Sequence, residues 1–298
     1  MNLVNYHRLV INLLRPVPCP YTLIRLGGCV DGAYLIPADL DGIKSCFSPG
    51  VCNSKEFEDE LSHKFKIKCH LCDYSSTPDQ LATPLVDGLQ TFEKLWLDID
   101  DSDISISLGN WVKKHAPSKG DDLMLQMDIE GAEYRNIFLT SLSTLSRFRI
   151  VVIEIHRLDK LEQGEFTFNL FTRISLAWHH LLPALKPLGR LPILGQCLTF
   201  FSRKLEPFLL APILHKLSLT HRCIHAHPNN CLGEFIDSRS GMNISRVIEL
   251  SFLRKDRFHG SPENYFSPKL PHPLDIKSNI STKPEIVLNQ YWLKPFRS

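Results

Sequence analysis

Short apolar runs separated by polar, glycine-bearing breaks recur along the chain. Two of them are nearly uninterrupted, Leu123-Met124-Leu125-Gln126-Met127 and Ile150-Val151-Val152-Ile153-Glu154-Ile155. Runs of this length without polar alternation suit strands buried on both faces, as in a parallel α/β sheet. Residues 43–47, 67–72, 94–99, 222–231 and 245–253 read as further strands. Residues 54–65, 108–115 and 132–142 have helical spacing. Strands alternating with helices predict βαβ units. Asp31-Gly32, flanked by apolar residues over 25–36, predicts a hairpin turn. Residues 1–14 read as an amphipathic helix, and Pro16, Pro18 and Pro20 force an extended passage after it. Three units follow: a lead-in over 1–24, a main domain over 25–258, and a proline-rich strap over 259–298.

Polar residues gather where the apolar runs end. Asp128, Glu130 and Glu133 surround Gly131 at the end of one run. Open α/β sheets bind ligands at the carboxyl ends of their strands, so these acids fall where a site is expected. Helix capping accounts for the same acids, since Asp and Glu favour a first helical turn. Glu154 and His156 close the next run on a shared face, because strand side chains repeat every second residue. Ser48-Pro49-Gly50-Val51 forms a turn between strand and helix, where backbone N–H groups and the helix N-terminus favour anions. Asp73 follows by roughly 20 residues, the spacing at which an acid takes ribose hydroxyls. The turn lacks the full glycine fingerprint of dinucleotide enzymes, which argues against NAD.

Other clusters have plainer readings. Cys69 and Cys72 lie three apart on a strand and point to opposite faces, so they read as buried thiols. Asp98, Asp100, Asp101 and Asp103 lack the glycine and terminal Glu of an EF-hand loop and read as a solvated loop. His225 and His227 share a face; a metal reading would take its third ligand from Asp128, Glu154 or His156.

Composition narrows the class. The chain has 298 residues, 43% hydrophobic and 22% charged, enough for a large core. A net charge of +2 does not argue for nucleic acid. The nine cysteines are scattered and odd in number, and the apolar stretch over 9–14 is too short for a secretory leader. Reduced thiols and a cytoplasmic setting are expected. No run reaches the ~18 apolar residues of a membrane span. Residues 166–220 exceed a normal crossover. They are rich in Leu, Phe and Pro, with Arg173, Lys186, Arg190, Arg203, Lys204 and Lys216 against Glu206 alone. This segment reads as an inserted helical cap, with peripheral membrane or protein contact as its other use.

Five stretches together resemble the S-adenosylmethionine-dependent methyltransferases of the FkbM type. They are Asp31-Gly32-Ala33-Tyr34, Ser48-Pro49-Gly50-Val51 through Phe57-Glu58, Asp128-Ile129-Glu130-Gly131-Ala132-Glu133, Glu154-Ile155-His156, and His225-Ala226-His227-Pro228-Asn229-Asn230. The third is the most specific. They span residues 25–255, with 166–220 poorly covered. The resemblance implies a class I methyltransferase-like (Rossmann-like) fold, with a seven-stranded, mostly parallel sheet, helices on both faces and an antiparallel last strand. It implies S-adenosylmethionine as cofactor and a hydroxyl of a sugar, glycan or other small molecule as acceptor. Ser48, Gly50, Val51, Glu58, Asp73 and Asp128 would bind the cofactor. Asp128 would stand beside the sulfonium, and His156, then His227, would serve as general base. Tyr34, Glu154, Asn229 and Asn230 would meet the acceptor, and no metal is required. Three positions depart from the family pattern: Cys52 replaces a second glycine, Ser54 a polar or acidic place, and Ala33 a glycine. Cys52 narrows the space for the methionine part of the cofactor. Two rivals follow, a fold relative that has lost the cofactor and acts as an interaction module, and a metal-assisted transferase.

Overall fold

The computed structural model describes residues 10–29, 31–159, 209–237, 243–276, 278–288 and 292. Strands β1 (Leu23–Leu26) and β2 (Tyr34–Pro37) form the predicted antiparallel hairpin, and Gly32 turns it at φ +82°. The main sheet uses β3 (Ile43–Pro49), β4 (Lys68–Cys72), β5 (Gln90–Glu93), β8 (Asp122–Met127), β9 (Phe148–Ile155), β10 (His221–Ile236) and β11 (Asn243–Arg254). Between them lie β6 (Trp96–Asp98) and β7 (Ser105–Ser107), a separate parallel pair. Helices among the described residues include α1 (Glu56–Phe65), α2 (Leu108–His115), α3 (Glu133–Leu139), α4 (Leu142–Leu145) and α5 (Leu210–Thr220).

The sheet has seven strands in the order β10-β11-β9-β8-β3-β4-β5. Six run parallel, and β11 is antiparallel to both neighbours. The chain winds one way from β3 through β4 to β5 and the other way from β8 to β9. The crevice at the carboxyl ends of β3 and β8 is therefore a topological switch point, where sheets of this kind take ligands.

Strand alternation sorts the core into two layers. Leu123, Leu125 and Met127 join Phe47, Cys72, Val151 and Ile153 on one face, against Trp111 of α2, Ile137 of α3 and Leu214 of α5. Met124 joins Cys46, Cys69, Leu71, Ile150 and Val152 on the other, against Phe57 and Leu61 of α1 and Tyr34 of the hairpin. Cys69 and Cys72 lie in opposite layers as their spacing predicts, and no disulfide joins the described cysteines. Burying each large apolar side chain contributes about 1.5–3 kcal/mol.

Local details differ from the sequence reading. The third sheet strand is Gln90–Glu93, not 94–99; the Leu95 amide donates back to the Glu93 carbonyl (2.8 Å) and turns the chain out of the sheet. The helix expected over 132–142 breaks at Thr140, because the Ser141 hydroxyl accepts from the Thr144 amide (3.1 Å) and starts a new turn. Strand β10 runs past 231 to Ile236 in a long hairpin with β11. In the acidic loop, Asp101 holds the Ser107 amide (2.9 Å) at the head of α2, and Asp98 pairs with Arg135 (2.7 Å).

Most of the predicted insertion, 166–208, and residues 1–9 lie outside the described residues. The described end of the insertion is α5, which packs into the core. Its Lys216 is buried, and Nζ donates to the Phe138 carbonyl (2.7 Å) and the Thr140 carbonyl at the end of α3. No described helix is long and apolar enough to cross a membrane.

Candidate functional site

The switch point is built on a close approach of two backbones. Gly50 follows β3 with φ +83°, and a Cβ there would lie 1.6 Å from the Asp128 carbonyl oxygen. Only glycine lets the two strand exits cross at this distance. Cys52 then takes a left-handed φ of +47°, the conformation a glycine would adopt freely. Its amide donates to Asp73 Oδ2 (2.8 Å), and Asp73 Oδ1 accepts from the amide (2.8 Å) and hydroxyl (2.6 Å) of Ser75. Asp73 stands at the predicted strand end and ties the glycine turn to the loop after β4. Behind the turn is a pocket of about 140 Å³, walled by Asp31, Tyr34, Val51, Cys52, Gln126 and Asp128. That is smaller than the ~300 Å³ of a typical ligand site, so a nucleoside-sized ligand would extend across the mouth. Ser48 and Glu58 are buried under the turn. Burial pushes the Glu58 carboxyl up to about 7 against an opposing hydrogen bond from Ser48.

The carboxyl ends of β8 and β9 bring a histidine among acids. Gln126 and Asp128 follow the hairpin-facing side of β8. Glu154 and His156 share the same side at the end of β9. The His156 ring is buried, and its Nδ1 lies 3.1 Å from Glu133 Oε1. The same oxygen accepts the Ile129 amide (2.9 Å), so Glu133 ties the head of α3 and fixes the ring. On the other side, Nε2 faces Glu130 Oε2 (3.5 Å), Asp128 Oδ1 (3.7 Å) and Glu154 Oε1 (3.7 Å). Burial alone would lower the His156 pKa, but Glu133, Asp128 and Glu130 together raise it to about 9. Burial pushes Asp128 up to about 8 despite the opposing charge of His156, and holds Glu154 well above the usual range. Glu130 (φ +56°), Gly131 (φ +101°) and Arg157 (φ +61°) are left-handed in the loops after these strands. Strained positions of this kind collect at functional sites.

A second row of polar residues crosses the sheet. Register pairs Glu154 with Glu249 and Glu249 with His227. Asp31 joins the two glutamates, and Asn229 Nδ2 donates to Asp31 and Glu154 (3.0 Å each). Asn279 of the strap donates to Glu249 (2.6 Å) and Asp31 (3.0 Å). Burial raises Glu249 to about 7. Tyr34 is buried, with its hydroxyl 3.5 Å from Glu154 Oε2, and accepts from Gln126 Nε2 (3.3 Å).

The structure thus gathers Tyr34, Gly50, Val51, Asp128, Glu154, His156 and Asn229. It sets His227 apart: β11 separates it from His156, and its Nδ1 lies 3.7 Å from Asp275 of the strap. Asn230 holds the strap, donating to the carbonyls of Ile280 (3.0 Å), Lys283 (3.2 Å) and Pro284 (3.1 Å). Three residues absent from the sequence-based set belong to the site. Gln126 and Glu249 are polar residues inside otherwise apolar strands, which was the available signal. Asn279 arrives from the strap with no local signal. Among the described residues, two groups are close enough to hold one metal ion each, Asp128-Glu130-His156 and Asp31-Glu154-Glu249.

The chain matches no protein-family model, no curated protein and no solved structure.

Proposed function

We propose that this chain is an S-adenosylmethionine-dependent methyltransferase that methylates a hydroxyl of a sugar, glycan or other small molecule. The observation that carries the reading is the acid-walled centre of Asp128 and His156 beside the glycine turn, at the switch point of the sheet. The antiparallel β11 within an otherwise parallel seven-stranded sheet supports it, since the resemblance called for that reversal.

The residues fit a cationic donor. Asp128 Oδ1 and Gln126 Oε1 are buried without a hydrogen-bond donor, so they suit a ligand that brings positive charge and N–H or O–H groups. When bound, the cofactor supplies an electrophilic methyl group on a sulfonium. Gly50 and Val51 would shape the turn that holds it, and Asp73, whose carboxylate already accepts from Cys52 and Ser75, would hold the loop on the ribose side. A cationic ligand would hold Asp128 in its charged form, and Asp128 would favour that positive charge in return. Methyl transfer needs the acceptor oxygen held in line behind the methyl group, which is chiefly orientation. Tyr34, Glu154 and Asn229 border that space. A hydroxyl is a weak nucleophile, and activating it is worth ~10²–10⁴-fold. His156, its ring fixed by Glu133 and its pKa raised to about 9, takes the hydroxyl proton through Nε2 in its neutral form, so turnover should rise as pH increases toward 9.

Calorimetric titration with S-adenosylhomocysteine tests the reading. Wild type is expected to bind, and Asp128→Ala to bind more weakly. No heat of binding at millimolar ligand would leave only the interaction-module reading. One feature favours that rival: Cys52 stands exposed in the left-handed position of the turn, where a thiol side chain occupies room that a glycine would leave open.

A further inference from the structure

We propose that Asp128, Glu130 and His156 hold a divalent metal ion, with Glu154 beside it. The histidine is the decisive group. Its ring is buried, and Nε2 points among three carboxylate oxygens at 3.5, 3.7 and 3.7 Å. Each distance exceeds the 2.7–3.2 Å of an N–H···O hydrogen bond. Nε2 is therefore ringed by carboxylates in loose ion pairs, none at close hydrogen-bond distance. Asp128 Oδ1 beside it is buried without a hydrogen-bond donor. Buried polar atoms left unsatisfied in a native fold call for an occupant.

The spacing suits an ion between them. Four ligands at the usual 2.0–2.2 Å around a tetrahedral ion lie ~3.4 Å apart, close to the separations from Nε2. Glu133 completes the arrangement on the far side of the ring, holding Nδ1 at 3.1 Å. A carboxylate on the second nitrogen of a histidine is the usual support for a metal ligand, because it fixes the tautomer that leaves the other nitrogen free to coordinate. One imidazole with carboxylates suits Mn²⁺ or Zn²⁺, while a thiolate-free set gives no preference for copper(I).

The role of the ion rests on the methyl-transfer reading; its binding does not. A bound ion would take the acceptor hydroxyl oxygen and lower its pKa, and the proton would pass to the neighbouring Glu154 carboxylate. His156 then activates the acceptor as a ligand and not as the base itself. That chemistry points to acceptors with two adjacent oxygens, which chelate an ion better than a lone hydroxyl.

The test uses the full chain, stripped with chelator and titrated with Mn²⁺ alone. Bound Mn²⁺ is read from loss of the free-ion signal in electron paramagnetic resonance. Mn²⁺ is chosen because the many thiols of this chain bind it poorly. The expected result is one site per chain, weakened about tenfold or more by Asp128→Asn and by His156→Gln, and 10–100-fold by Glu133→Gln. Asp100→Asn, in the acidic loop, should leave binding unchanged. Circular dichroism melts establish that each variant is folded. Two results would overturn the proposal: no Mn²⁺ bound by wild type at millimolar concentration, or binding that folded Asp128→Asn and His156→Gln do not weaken. A chain that binds Mn²⁺ at this site but no S-adenosylhomocysteine keeps the ion and loses the methyl-transfer reading.

Discussion

At the scale of single residues, Gly50 and Glu133 do most to define the centre. Gly50→Ala would set a Cβ 1.6 Å from the Asp128 carbonyl oxygen in a left-handed conformation. The backbone strain alone costs about 1–3 kcal/mol, so denaturant unfolding should show a loss of at least about 2 kcal/mol, with ligand binding lost as well. A change within about 0.5 kcal/mol would mean that the two strand exits are not packed as described. Glu133→Gln removes the charge nearest the His156 ring. The His156 pKa, raised to about 9, should then fall toward its ordinary value of about 6.5, as followed by NMR titration of the imidazole. The sign for stability follows from linkage. A histidine raised above its unfolded value stabilises fully below about pH 6.5 and loses that contribution as pH rises through its folded value. An unchanged titration in the variant would remove Glu133 from the ring. Asp128, Glu154 and His156 were legible in the sequence because each ends an apolar run. Glu249 was marked only as a polar residue inside an apolar strand; its role comes from pairing with Glu154 across β9 and β11, which no local pattern encodes.

At the scale of elements, the strap is the part most sensitive to pH. Asp275 accepts from the His225 ring (2.8 Å) and the His272 amide (2.7 Å), and lies near His227. Burial would raise the Asp275 carboxyl, but the histidines hold it well below the usual range. Its contribution is present above about pH 4 and lost as pH falls further. Burial would lower the His227 pKa, but Asp275 and Glu249 raise it. Its contribution is present below about pH 6.5 and lost as pH rises through the folded value. Hydrogen exchange, corrected for intrinsic rate, should therefore show residues 272–288 best protected between about pH 4 and 6.5. Flat protection across that range and up to about pH 9 would contradict the histidine clasp. The sequence marked this segment as a proline-rich strap over the body. It held no sign that Asn279 enters the acid row or that Asn230 clasps the strap, because these contacts join positions 30 and 50 residues apart. Helix α5 shows the opposite limit. Its apolar residues fitted a surface cap as well as a core helix, and the buried Lys216 at the end of α3 is what distinguishes them.

At the scale of the molecule, the two ends of the sheet divide the work. At the amino ends of β8 and β9, Asp122 is paired with Arg149 (2.6 Å) and Arg254 (2.7 Å), and Asp39 with Arg257 (2.7 Å). Charges there are matched. At the carboxyl ends acids outnumber cations around Asp128, Glu154 and Glu249, and buried carboxylates without matching cations are costly unless a ligand compensates them. The alternation of strand and helix was readable from hydrophobic runs. The order of strands was not, since pairing is settled by packing between distant segments; the reversal of β11 was expected only from the family resemblance. The most direct measurement is a crystal structure of the chain with S-adenosylhomocysteine. The account predicts the sulfur beside Asp128 and the ribose over the turn held by Gly50, Cys52 and Asp73. A ligand bound away from that crevice, or an empty crevice at millimolar ligand, would contradict it.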